Sequence, residues 1–322
     1  MKLGTWIIVA LFVGCGPVMS DGAGGAGGGS GGSGGHVGSG GAGGGSGGSG
    51  GAGGAGGGSG GSGGQTGCGE LQNCYTVYAH SDHVLYHVDL VSKALITVGP
   101  FNAPQVPTSS GMAEDVITDL AVSPDNVIYV ISKTNLYTAS ATDGHVTTVG
   151  PVTACGTYAV ALTFAANGKL YSADYMGAFC QIDITQTPPR VTPVGQLGQG
   201  LALAGDLVAV SDGTMYGTAY RLADAANMGT QVNNILVKID PTTGMVTQLM
   251  GMTGYPKLFG IAFDQGQVFG FTHDGTGHVV TINPTTGQGT VYATFMDPAT
   301  GRGISFAGAG VNAMVPPVGI HY

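Results

Sequence analysis

The runs LFGIAFD (258–264), QVFGFT (267–272), HVVTIN (278–283) and GTVYAT (289–294), with Pro284-Thr-Thr-Gly287 between the last two, decide how this chain folds. Each run is short, is rich in β-branched and aromatic residues, and is bounded by Gly, Asp, Asn or Pro. These are strand signals rather than helix signals. Pro followed by Gly at the fourth place supplies the fixed φ and the left-handed residue that a tight turn needs. Four consecutive antiparallel strands are the expected local structure. The same order recurs upstream. DLVAVS (206–211), TMYGTAY (214–220), ILVKID (235–240) and MVTQLM (245–250) make one unit, with Pro241-Thr-Thr-Gly244 as its turn. ALTFA (161–165), KLYSAD (169–174), FCQIDI (179–184) and RVTPVG (190–195) make another. DLAVS (119–123), VIYVIS (127–132), NLYTAS (135–140) and HVTTVG (145–150) make a third. Unit starts fall roughly 40–50 residues apart, the period of a four-stranded repeat.

The ends of the repeat region decide how the array terminates. YTVYAH (75–80), VLYHVD (84–89) and ALITVG (94–99) match strands two to four of a unit that lacks its first strand. GISFAG (303–308) matches a first strand with nothing after it. One unit split across the two ends accounts for both, and closing a ring removes the free edges a linear stack would expose. The expected fold is all-β: a β-propeller of five four-stranded blades, closed by the C-terminal strand joining the N-terminal blade. Six blades are the alternative, which requires GLALAG (200–205) and the long 221–234 segment to hide a degenerate unit.

The pattern resembles the propeller group with LY-x-ID-x-TTG turns, which includes lactonase-like, NHL-like and quinoprotein-like repeats. The resemblance covers residues 75–307 and implies architecture. It implies little about activity, because one fold hosts many functions. The only tryptophan, Trp6, lies outside the repeats, so a Trp-Asp repeat signature is absent. Calcium-dependent lactonase-like propellers hold their metal near the axis, and here Asp119 and Asp206 are the nearest carboxylates among otherwise apolar first strands.

Upstream of the repeats the composition changes. Of the 63 glycines, thirty fall in residues 21–67, where Ser and Ala make up most of the remainder. Such a segment cannot bury apolar surface, so 21–67 reads as a disordered tether. Its root-mean-square span is about 35–40 Å. Residues 1–14, MKLGTWIIVALFVG, carry Lys2 ahead of an apolar run too short to span a bilayer. A secretory signal fits this stretch. The run ends in LFVGC, which resembles a bacterial lipoprotein signal. The resemblance implies cleavage before Cys15 and lipidation of that cysteine (residues 15–20 forming the lipidated N-terminus). It also implies anchoring in a lipid bilayer, with Gly16 favouring the outer membrane. The expected location is therefore extracytoplasmic, with 68–322 as the propeller domain.

Four further cysteines in an exported domain suggest two disulfides. Proximity in sequence pairs Cys68 with Cys74 and Cys155 with Cys180. Nine Lys and Arg against 18 Asp and Glu give a net charge of −9, which argues against nucleic acid as a partner. No GxSxG elbow, HExxH helix or phosphate loop appears in the sequence.

Two groups of residues are candidate sites. His80, Asp82 and His83 fall in the loop between strands two and three of the first unit, and His273, Asp274 and His278 fall in the equivalent region of the last. Ring closure makes these units neighbours, and imidazole with carboxylate is a donor set suited to a divalent metal. No other cofactor is implied. The second group lies on connections of the same face: Asp174 and Tyr175, then Tyr220, Arg221, Asp224, Asn227 and Asn233 in the 221–234 insertion. Long loops on a rigid ring are usual places for recognition. The leading expectation is a tethered binding or scaffold propeller that presents one loop face to a protein or glycan partner. A metal-dependent, lactonase-like hydrolase and a structural envelope lipoprotein are the alternatives.

Overall fold

The computed structural model of the chain describes residues 75–152, 155–157, 159–227, 233–298 and 300–317. The chain divides into two units, 1–60 and 61–322, and every described residue belongs to the second. The signal, Cys15, the tether, Cys68 and Cys74 lie outside the described residues.

Five four-stranded antiparallel sheets form the ring. Blade one contains β1 (Val77–His80), β2 (Val84–Asp89) and β3 (Ala94–Pro100). A hairpin of β4 (Gln105–Thr108) and β5 (Gly111–Glu114) follows. Blade two is β6 (Ile117–Val122), β7 (Ile128–Ser132), β8 (Asn135–Ala139) and β9 (Val146–Pro151). Blade three is β10 (Ala159–Phe164), β11 (Leu170–Asp174), β12 (Ala178–Asp183) and β13 (Arg190–Gln196). Blade four is β14 (Leu201–Ala209), β15 (Met215–Arg221), β16 (Asn233–Ile239) and β17 (Val246–Pro256), with a short 3₁₀ helix, Leu222–Asn227, after β15. Blade five is β18 (Leu258–Asp264), β19 (Gln267–Thr272), β20 (His278–Ile282) and β21 (Gly289–Thr294). The last strand, β22 (Gly308–Gly310), pairs with β1 and completes blade one.

Burial grades outward in each blade as sequence pattern dictates. The inner strands are buried on both faces, so β10 reads AVALTF and β6 reads ITDLAV. The outer strands β9, β13 and β21 keep mostly exposed or half-buried residues. Aromatics of the second strands fill the seams between blades. Tyr129 of blade two meets Phe164 of blade three edge-on at 5.3 Å. Tyr216 of blade four stacks on Phe263 of blade five at 5.9 Å. Such pairs contribute about 0.5–1.5 kcal/mol beyond the area they bury.

The Thr-Thr-Gly turns also bind neighbouring blades together. The Asp240 carboxylate accepts from Thr242 N at 2.8 Å and Thr242 Oγ1 at 2.7 Å, and Gly244 N–H donates to Asp240 O at 2.8 Å. Gly244 has φ of 71°, and a Cβ there would stand 2.7 Å from the Cβ of Phe179 in blade three. The turn thus requires glycine both for its conformation and for the close approach of the next blade.

Three expectations are adjusted by these strands. GLALAG is not the remnant of a sixth blade, because β14 extends back through it and absorbs it at a bulge between Leu203 and Leu207. The closing strand is 308–310 rather than 303–308. Ile304 and Phe306 are buried ahead of it, where Phe306 packs edge-on against Phe271 at 5.4 Å and Tyr86 at 6.3 Å. A buried connection and a buried strand carry the same apolar signature. GISFAG is also expected to be followed by nothing that belongs to the ring, yet the chain continues along it. Past β22, Asn312 donates to Pro124 O at 3.1 Å and Asn126 Oδ1 at 2.8 Å, and Val315 O accepts from Ser211 N at 3.0 Å. Residues 311–315 therefore lie under blades two and four.

Candidate functional site

In a meander blade, the connections from strand two to three and from strand four to the next blade share one end of the ring. We call this end the top. Its long segments are 101–116, which contains the β4–β5 hairpin, 222–232 and 295–307. The opposite end carries compact turns. Ser123 N–Val127 O, Ala165 N–Lys169 O and Val210 N–Thr214 O close three of them, at 2.9 Å each. Elaboration is confined to the top. The β4–β5 hairpin has no counterpart in the sequence expectation, because QVPTSSGMAE is polar, contains Pro107 and lacks the alternation of a buried strand.

The connections between blades contact the strand-two-to-three regions of the blades they join. Glu114 pairs with His83 at 3.5 Å and accepts Ala103 N at 2.9 Å. Leu222 N donates to Gly200 O at 2.8 Å, and Phe306 N to Thr272 O at 3.0 Å. The disulfide Cys155–Cys180 joins the segment before β10 to β12, with Cα atoms 5.7 Å apart. Beneath it, the buried Asp174 carboxylate accepts Thr157 N (3.0 Å), Met176 N (2.9 Å) and Ala178 N (2.7 Å).

The proposed partner-binding residues therefore divide. Asp174 and Tyr220 are buried and fix loops; the Tyr220 hydroxyl donates to Tyr175 O at 3.2 Å. Tyr175 is half-buried, Asp224 is intermediate, and Arg221 and Asn233 are exposed. The side chain of Asn227 lies outside the described atoms. Exposed apolar side chains of the top end are Met112 (63% accessible), Met296 (55%) and Met176 (46%), with Val116 and Leu222. The sequence reading did not pick out this methionine set, since isolated methionines in polar loops carry no periodic signal.

The proposed metal residues do not come together. His80 is not in a loop but ends β1, fully buried. His83 is exposed and engages Glu114, while His273 stacks on Phe259 at 4.6 Å and contacts Phe306 O through Nδ1 at 3.1 Å. Asp274 accepts Thr276 N at 3.0 Å and Thr276 Oγ1 at 2.5 Å within its own turn. Asp82 is exposed, and His278 lies in β20. Among the described residues, no group of three or more His, Cys, Asp or Glu side chains is placed to hold a metal ion.

The polar groups that do converge lie at the axis. The register puts Asp119, Ala161, Asp206, Gly260 and Gly308 at equivalent places on the five inner strands, beside the bulges of β6, β10, β14 and β18. The next backbone N–H on each strand turns toward the two carboxylates. Leu162 N donates to Asp119 Oδ2 at 2.6 Å, and the Leu120 N–H also bonds Asp119. Leu207 N reaches Asp206 Oδ1 at 2.5 Å, while Ile261 N and Ala309 N reach Asp206 Oδ2 at 2.7 and 3.4 Å. All five inner strands are thereby tied to the two carboxylates, which are close enough for each to act on the other's ionisation. Burial raises the pKa of both: Asp119 well above the carboxylate range, with repulsion from Asp206 adding to it, and Asp206 to about 8. His80 faces the same point. Its Nδ1 contacts Ser81 O at 2.8 Å, and burial pushes its pKa down to about 4, so the imidazole is neutral with its Nε2 lone pair inward. Asp119 and Asp206 looked isolated in the sequence. The signal was their shared place ahead of LAVS and LVAVS in two repeats.

No protein-family model matches this chain, and no curated protein matches it. Solved structures do show likeness. One is a structural genomics protein of unknown function from Bacteroides thetaiotaomicron VPI-5482, at 15% identity over 74% of this chain and 63% of that one, with a TM-score of 0.45. A second is an auxiliary nutrient binding protein from the same organism, at 12% identity over 71% and 57%, with a TM-score of 0.41. A third is virginiamycin B lyase from Staphylococcus aureus, at 12% identity over 69% and 66%, with a TM-score of 0.37. The chain spans less than two thirds of the length of each. The five blades themselves follow from the strand pairing.

Proposed function

We propose that this chain is a membrane-tethered extracytoplasmic binding propeller that presents the top end of its ring to a protein or glycan partner. The observation that carries this reading is the confinement of the long connections between strands to that end, where Met112, Met176 and Met296 are exposed. A ring with compact turns opposite places the connections that contain 101–116, 222–227 and 300–307 at one end. Methionine side chains are flexible and polarizable, so they suit a surface that adapts to apolar groups of a partner. Arg221, Asn233 and the His83–Glu114 pair add polar contacts at the rim.

The tether belongs to the same proposal. LFVGC (11–15) supports lipidation of Cys15, and the 21–67 segment supplies reach without fixing orientation. Because β1 is the second strand of its blade, it begins at the end opposite the top. Photo-crosslinkers placed at 112 and 296, compared with one at 245 on the opposite end, test the face directly in cells. Adducts from the first two positions alone are expected, and adducts only from 245 would reverse the assignment. Loss of palmitate incorporation in Cys15→Ser, with retention in Cys68→Ser, tests the anchor.

A further inference from the structure

Ring closure in this protein depends on a very short strand. β22 contributes three residues, paired as His80↔Gly308, Ala79↔Ala309 and Tyr78↔Gly310. Its second anchorage is axial: Ala309 N donates to Asp206 Oδ2, and Gly308 lies directly over Asp119 and His80. A Cβ on Gly308 would stand 2.3 Å from Asp119 Oδ1 and 2.4 Å from His80 Nε2. Both atoms are buried and have no hydrogen-bond partner among the described residues.

We propose that the Asp119–Asp206 pair is a proton-held latch on the closing strand: a proton between the carboxylates keeps β22 docked, and its loss releases β22 from the axis. Two unprotonated carboxylates side by side in a dry interior repel each other, and five N–H donors offset only part of that cost. Of the strands bonded to the pair, β22 is the shortest, so its release breaks the fewest ladder bonds, while 304–306 and 312–315 on either side stay anchored. The titratable groups that face the pair are few. β1 supplies His80, β6 and β14 supply the aspartates themselves, and β10, β18 and β22 supply Ala161, Gly260 and Gly308. From the top loops, Asp82 and His273 act on His80. The sign follows from linkage. The docked state holds a proton that a solvated carboxylate loses near pH 4, so opening becomes easier as pH rises and levels off once the docked pair itself ionises, near 8 for Asp206.

Amide hydrogen exchange of the full chain, normalised to intrinsic rates between pH 5 and 9, tests the latch. Protection at 308–310 and at the β1 amides should fall by up to about tenfold per pH unit and then flatten near pH 8, whereas β10–β12 should not change. Asp119→Asn together with Asp206→Asn removes both titrating carboxyls, so it should abolish the pH dependence. A flat profile in the wild-type protein overturns the proposal, as does the same slope in the double variant. Carboxyl ¹³C titration of the wild-type protein gives a readout that does not depend on any variant folding. A carboxyl that stays protonated through neutral pH supports the latch, and ordinary acidic titration of both groups refutes it.

Discussion

Replacing Gly308 by Ala tests the axial packing with one methyl group. No left-handed φ is recorded at Gly308, so the cost of the substitution is spatial rather than conformational. The new Cβ meets Asp119 Oδ1 at 2.3 Å, His80 Nε2 at 2.4 Å and Asp119 Cα at 3.0 Å, none of which is the free end of a flexible chain. Overpacking of this kind costs about 1–3 kcal/mol. Pushing β22 outward also weakens the Ala309 bond to the carboxylate pair, worth about 1.5–3 kcal/mol for a charged acceptor. Together these give a loss of about 3–4 kcal/mol, or a fall in Tm of roughly 6–16 °C at about 2–4 °C per kcal/mol for a domain of this size. Urea unfolding followed by far-ultraviolet circular dichroism measures it. Gly168→Ala is the control: that glycine has φ of 78° but nothing within 4 Å of a Cβ, so only local strain of about 1 kcal/mol is expected. A Gly308→Ala variant within 0.5 kcal/mol of wild type, or no worse than the control, would refute the close axial contact.

Other consequences follow from the same geometry. Cys155→Ala with Cys180→Ala opens a loop of separation 25 and should lower stability by about 3.5 kcal/mol on the chain-entropy model, read as a shift in urea midpoint. Tyr137→Phe removes a buried donor 2.7 Å from Asp115 Oδ2 and should cost about 1.5–3 kcal/mol; a neutral result would show that the pair is solvated. His80 has its folded pKa depressed to about 4, so the stability it contributes is present above its unfolded pKa near 6.5 and is lost as pH falls through 4. Relative to His80→Asn, the wild-type protein should therefore lose about 3 kcal/mol between pH 7 and pH 4. A constant difference across that range would show that His80 titrates normally.

The repeat made most of the ring legible. Runs such as VIYVIS and ILVKID alternate with Thr-Thr-Gly turns whose chemistry is local, so strand order and blade number follow from pattern alone. The same logic failed where the signal is not periodic. GISFAG has the right apolarity for an inner strand, but its register is set by which residue can lie over Asp119, and only the glycine at 308 can. The β4–β5 hairpin packs too little apolar surface to leave a pattern. The histidines were visible as residue types, yet strand geometry separates them: His80 points into the axis, His83 out to Glu114, and His273 onto Phe259. Asp174 and Tyr220 are polar groups in loops, and only their hydrogen bonds show that they are braces rather than contacts. The axial aspartates required knowing that two equivalent positions of different blades meet across the ring.

The central claim is that the protein recognises a partner through the top end. Surface plasmon resonance of the immobilised full chain against solubilised envelope proteins tests it with two matched variants. One replaces 222–232 with a short Asn-Gly turn and carries Met112→Asp; the other carries Val91→Asp and Met245→Asp on the opposite end. The account predicts saturable binding that is lost in the first variant and kept in the second, with both folded by circular dichroism. Binding that survives the first and disappears in the second would contradict it.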